Sequence, residues 1–140
     1  MRTYFDSSAL VAAMVEEEEH HAAALKALAE ATDGITSTHA VAETFATLTS
    51  GRLEIQLSPN DALKIVEANV LGHLEVLELT LSDYRRAMES SQDAGARGGA
   101  VYDMLHLQAA RRCRANRILT INLRHLQTFA PDLRHSIALP

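Results

Sequence analysis

The chain has 140 residues, 47% of them hydrophobic and 22% charged, enough to bury a core as one ordinary domain and not the composition of a disordered tail. Eighteen acids against thirteen Lys and Arg give a formal charge of −5, which argues against a protein that coats nucleic acid electrostatically. A single cysteine, Cys113, excludes an internal disulfide and a cysteine-based zinc cluster.

Apolar periods alternate between strand-like and helix-like along the chain. Arg2-Thr-Tyr-Phe-Asp6 is rich in β-formers and gives way to a helical run over Ala9–Met14. A second helical pattern spans about Glu17–Ala31, with Asp33-Gly34 as the closing turn. Ile35–Ser37 reads as a short strand feeding a helix over Thr38–Ser50, with Ser37 or Thr38 as its cap. Ser58-Pro59-Asn60-Asp61 is a strong helix start, and that helix runs to Leu71, with Gly72 where a left-handed terminal residue is wanted. His73–Leu79 reads as a strand. Ser82-Asp83 opens a helix running into the Gly95–Gly99 loop, and another helix covers Tyr102 to about Ala115. Arg117–Ile121 and Ile137–Leu139 complete the strands. Strands separated by helices imply parallel βαβ units, hence a single α/β/α sandwich over residues 1–140 with a mostly parallel sheet. No run reaches the ~18 apolar residues of a membrane span, and no signal-peptide pattern follows Arg2, so a cytoplasmic protein without a membrane partner is expected.

In open α/β sheets ligands bind beyond the carboxyl ends of the strands. Asp6 stands at that end of the first strand and Asn122 follows Arg117–Ile121, while Asp103 opens a helix directly after a glycine-rich loop. On the helix over Thr38–Ser50, Val41, Phe45 and Leu48 form a core stripe, and Glu43 lies opposite it beside His39 and Thr47. Each acid has a plain structural reading. Glu43 suits a solvated surface, and Asp103 suits the first turn of a helix, where backbone N–H groups favour a carboxylate. Glu16-Glu-Glu-Glu-His-His21 reads as the solvated start of a helix, and Ser7 and Ser8 as caps for the helix after the first strand. His39 and His106 stand near proposed site residues, with surface or supporting placement as the plainer reading. No Gly-x-Ser-x-Gly elbow or phosphate-binding glycine loop is present.

The segments Asp6-Ser-Ser, His39-Ala-Val-Ala-Glu43, Tyr102-Asp103-Met-Leu-His106 and Leu119-Thr-Ile-Asn122-Leu-Arg-His125, in that order, resemble the PIN-domain family, and within it the VapC-type toxins of toxin–antitoxin pairs. The resemblance implies a parallel sheet of about five strands and a metal-dependent endoribonuclease. It assigns catalytic roles to Asp6, Glu43, Asp103 and Asn122, with Asp6, Glu43 and Asp103 holding Mg²⁺ or Mn²⁺. Many relatives carry a fourth acid after the penultimate strand, where this chain has Thr120, Asn122 and His125. Ser7, Thr120 and Arg97 are the expected substrate contacts, with Arg85 and Arg86 as further arginines for RNA. The partners the resemblance implies are RNA, a small antitoxin protein and a second copy in a homodimer. The alternative is a PIN-like module that binds RNA or protein without cutting, for which the missing fourth acid speaks.

The charge is unevenly placed: residues 1–84 hold fourteen acids and four Lys or Arg, and residues 85–140 four acids and nine Arg. The basic segment is then available to a phosphate backbone even though the total is negative.

Overall fold

The computed structural model describes residues Met1–Pro140. Five short strands form one all-parallel sheet in the order β3-β2-β1-β4-β5. They are β1 (Thr3–Phe5), β2 (Gly34–Ser37), β3 (Glu75–Leu77), β4 (Arg117–Leu119) and β5 (Ile137–Ala138). All but β2, which gains Gly34, are shorter than the runs read from sequence. β1 pairs with β2 through Thr3–Gly34 and with β4 through Thr3–Arg117, Tyr4–Ile118 and Phe5–Leu119. From β1 the chain builds outward on one side, then crosses back and builds outward on the other. The direction therefore switches between β1 and β4, and the crevice at their carboxyl ends is where such sheets bind ligands.

Two cores, one on each face, follow from the period-two alternation of strand side chains. Phe5 and Leu119 point into a core with Leu10, Leu28, Leu48 and Val70, while Tyr4, Ile35, Ile118 and Ile137 point into the opposite one with Leu105, Leu107 and Leu126. The first core is roofed by α1 (Ser7–Met14), α2 (His21–Ala29), α3 (Thr38–Leu48) and α4 (Pro59–Val66). The second is roofed by α5 (Leu81–Ala94), α6 (Val101–Arg112) and α7 (Leu123–Phe129). The α/β/α sandwich expected from the alternation is thus present, with its sheet entirely parallel.

Local chemistry explains most element ends. Ser58 caps α4 through its hydroxyl, with Pro59 in the first turn, and Ser37 caps α3 by accepting from the Ala40 N–H. Thr80 opens α5 in a capping box with Asp83, and Gly95 closes it at φ 72°. Four expectations need correction. Gly72 is right-handed (φ −81°), because the helix ends by widening into a π-turn over Glu67–Leu71 and needs no left-handed residue. α2 begins at His21, since Glu16–His20 form turns, so these acids do not occupy a first helical turn. The cap of α1 is Asp6, whose Oδ1 accepts from the Ala9 N–H at 2.8 Å, and neither Ser7 nor Ser8 fills that place. On α3 the fully buried stripe is Ala40, Thr44 and Leu48, with Val41 and Phe45 flanking it half-buried.

Candidate active site

Three strand ends deliver the candidate residues to one region. Asp6 follows β1 directly and is buried, 1% exposed, with its backbone N–H bonded to Leu119 O of β4. Its Oδ1 accepts from Ala9 N and from the Ser8 hydroxyl at 2.7 Å, which fixes the carboxylate at the β1–β4 junction. Ser8 also reaches across to Ile121 N and stands 3.3 Å from the Thr120 hydroxyl. Thr120 is fully buried and accepts from Asn122 N at 3.0 Å, so its hydroxyl shapes the turn after β4 and does not face open space.

Above this junction lies a cleft of about 440 Å³ lined by Ser7, Glu18, Glu43, Asp103, Asn122 and Tyr102 among others. Glu43, Asp103, Asn122 and Ser7 thus share one cavity; Asp6 does not line it, though its chain neighbours Ser7 and Ser8 do. Arg97 stands exposed in the loop before α6, two residues from Gly99, which lines the cleft. Glu18 was not singled out by the sequence. Its run of four acids reads as a solvated face, and only the turn in which it sits carries it to the cleft.

The side chains around Glu43 form a continuous polar chain. His106, 2% exposed, places Nε2 at 2.9 Å from Glu43 Oε1, and its Nδ1 lies 2.9 Å from the hydroxyl of Tyr4. The Tyr4 hydroxyl is in turn 2.9 Å from Ser37 Oγ. His39, one turn before Glu43 on α3, places Nε2 at 3.3 Å from Glu43 Oε2, and the Ser7 hydroxyl donates to Glu43 Oε1. The sequence did carry a signal for His106. It stands three residues after Asp103, one turn along α6, but its buried partner Tyr4 is 102 positions away.

The charges follow from these contacts. Burial alone would raise the Glu43 carboxyl, but His106, His39 and Ser7 together pull it far below the usual carboxylate range. Burial of the His106 ring opposes its charge, and the hydrogen bond to Glu43 with the charges of Asp6 and Asp103 outweighs it, so His106 is raised. Asp103 moves the other way: burial, then the negative charges of Asp6 and Glu43, push its pKa up against the pull of His106 and His125. Asp103 makes no ion pair. The only three metal-ligating side chains whose donor atoms lie within 4.8 Å of one another are His39, Glu43 and His106; Asp6 and Asp103 do not belong to that group.

The fold and site define an α/β protein with an oxygen-rich, negatively charged cleft at the switch point of a parallel sheet. A family model, PIN domain, matches residues 3–128, and the chain belongs to that family. Among solved structures it is similar to VapC20 of Mycobacterium tuberculosis, a sarcin–ricin loop cleaving toxin. The TM-score is 0.68 at 17% sequence identity, over 83% of this chain and 86% of that one. No curated protein matches it.

Proposed function

We propose that this chain is a metal-dependent endoribonuclease of the VapC type, the toxin of a toxin–antitoxin pair. One observation carries the reading: Glu43, Asp103, Asn122 and Ser7 line a single cleft at the switch point of a PIN-domain sheet, with Asp6 next in the chain to the lining residue Ser7. The similar VapC20 structure, whose protein cleaves the sarcin–ricin loop, supports RNA as the substrate class.

The donor chemistry fits a hard divalent cation. Carboxylate and amide oxygens are the ligands Mg²⁺ and Mn²⁺ take, and a half-buried Asp103 whose ionisation is opposed by desolvation and by two neighbouring carboxylates is a group that an added cation would relieve. Asp6, Glu43 and Asp103 would hold the ion, with Asn122 offering a neutral oxygen at the edge. When bound, such an ion supplies a lowered pKa for water and offsets charge on the phosphoryl oxygens. The protein's own part is orientation. Asp6 is fixed through Ala9 N and Ser8, Glu43 is kept ionised and aimed by His106, and Ser7 presents a hydroxyl to the same space. Arg97, Arg85 and Arg86 are exposed cations suited to a phosphate backbone. A small antitoxin, a second copy of the chain and a cytoplasmic location belong to the same reading. No helix is long and apolar enough to cross a membrane.

The test is cleavage of a mixed RNA pool with and without Mg²⁺, with the cut ends mapped. Discrete Mg²⁺-dependent cuts are expected. Intact RNA together with measurable RNA affinity would instead establish the non-cleaving module.

A further inference from the structure

His39 and Glu43 stand one turn apart on α3, and His106 meets them from α6. The two imidazole nitrogens lie 3.3 and 2.9 Å from the two Glu43 oxygens. Two ligands about 2.1 Å from one ion, at roughly 90–109°, stand about 3.0–3.4 Å apart. Each imidazole nitrogen is thus near neighbour-ligand spacing from one Glu43 oxygen, and donor atoms of the three side chains all lie within 4.8 Å of one another.

Two further features separate this group from an ordinary ion pair. His39 Nε2 is buried and has no hydrogen-bond partner, and its ring lies flat against Tyr102, with centroids 5.5 Å apart and planes 12° from parallel. The stacking holds the ring beside Glu43, with Nε2 3.3 Å from Oε2 but outside hydrogen-bond geometry. His106 is fixed from behind: the Tyr4 hydroxyl, tied to Ser37, occupies Nδ1 and leaves Nε2 for the Glu43 side. An imidazole braced through its other nitrogen is the usual support of a metal ligand. Two imidazoles and one carboxylate suit Zn²⁺ and the other late first-row divalent ions, whereas Mg²⁺ prefers oxygen throughout.

We propose that His39, Glu43 and His106 form a binding site for a Zn²⁺-class ion, distinct from the oxygen-lined part of the cleft and sharing Glu43 with it. An ion held there takes the carboxylate that Mg²⁺ would use, so Zn²⁺ opposes Mg²⁺-supported chemistry. That consequence rests on the nuclease reading; the binding itself does not.

The full chain, freed of metal, is titrated with Zn²⁺ against a chromophoric chelator, and with Co²⁺ for its visible absorption bands. One equivalent of Zn²⁺ should bind and resist displacement by millimolar Mg²⁺, and Co²⁺ should give the bands of a nitrogen-ligated site of low coordination number. His39→Gln should weaken Zn²⁺ binding at least about tenfold, and Tyr4→Phe, which removes only the brace, about tenfold. Asp103→Asn, which removes a nearby charge but no proposed ligand, should weaken Zn²⁺ binding less than His39→Gln does. His39 is chosen over the fully buried His106 so that folding is preserved, checked by thermal melts. Wild-type Zn²⁺ affinity in His39→Gln, or a larger loss in Asp103→Asn than in His39→Gln, would place the ion among the carboxylates and overturn the proposal. In the RNA assay one equivalent of Zn²⁺ should suppress Mg²⁺-supported cleavage, and cleavage persisting with Zn²⁺ bound would refute the sharing of Glu43. A wild-type chain that cuts no RNA strikes the nuclease reading and leaves the Zn²⁺ titration decisive.

Discussion

The two ends of α6, about 18 Å apart for its twelve residues, treat charge in opposite ways. At the C-terminal end each of the two arginines is answered. Arg111 holds both oxygens of Asp132, at 2.6 and 2.9 Å, and Arg112 bridges the Asp83 carboxylate and the Glu78 carbonyl. Asp83 is itself buried and also accepts from Thr80 N, the Thr80 hydroxyl and Gln108. At the N-terminal end Asp103 has no ion-pair partner, and Asp6 and Glu43 oppose its ionisation. A region serving stability neutralises its charges within the fold. A half-buried carboxylate left unneutralised among others marks a place where a cation from outside completes the balance.

That contrast can be broken from either end. The largest effect is expected from Asp103→Asn, which should lower Mg²⁺-dependent RNA cleavage by about a thousandfold. The same change should leave the melting temperature of the metal-free protein equal or higher, because it removes a charge the fold disfavours. Full cleavage by this variant would remove Asp103 from the site. Asp83→Ala should instead cost stability, about 2–3 kcal/mol by urea unfolding, through loss of the capping box and of the carboxylate that Arg112 faces. The Asp83 pKa is lowered, since the Thr80, Gln108 and Arg112 contacts outweigh its desolvation. Its stabilisation is then present above the unfolded value of about 3.9 and fades as pH falls through the lower native value. The melting-temperature gap between wild type and Asp83→Asn should therefore hold steady from pH 8 to 5 and narrow below about pH 4.

Smaller changes sharpen the same comparison. Tyr4→Phe strips one partner each from His106 and Ser37 in a fully buried place and should cost about 1–2 kcal/mol. Asp132→Asn cuts a largely exposed pair and should cost under about 1 kcal/mol, less in high salt. A larger loss at Asp132 than at Asp83 would reverse the ranking of buried over exposed pairing.

The parts of the fold that sequence made legible are those with a strong local signature. Ser58-Pro59, the β-rich run before Asp6, and the strand–helix alternation each rest on residues close together in the chain. What escaped lacks such a signature. Helix α7 has seven residues, too few for a clear period, and Asn122 makes no side-chain capping bond to announce it. The turn that brings Glu18 to the cleft is closed by backbone bonds from Glu18 N to Val15 O and from His21 N to Glu18 O, which the four identical acids do not announce. Motif order brought Asp6, Glu43, Asp103 and Asn122 to attention and flagged His106 beside them, but the rest of the support behind His106 did not emerge. Tyr4 and Ser37 come from segments distant from His106, and on a strand or helix pattern they read as strand core and helix cap.

Asp6 joins two jobs in one side chain, and this governs how it can be probed. Its Oδ1 caps α1 while the same carboxylate sits at the candidate site. Replacement by alanine would deprive the first helix of its opening contact, so an inactive Asp6→Ala protein would say as much about folding as about chemistry. Asparagine caps a helix about as well as aspartate. Asp6→Asn should therefore retain the wild-type melt while losing its share of metal affinity, and the difference between the two variants measures how far architecture and reactivity have been made to depend on the same atoms.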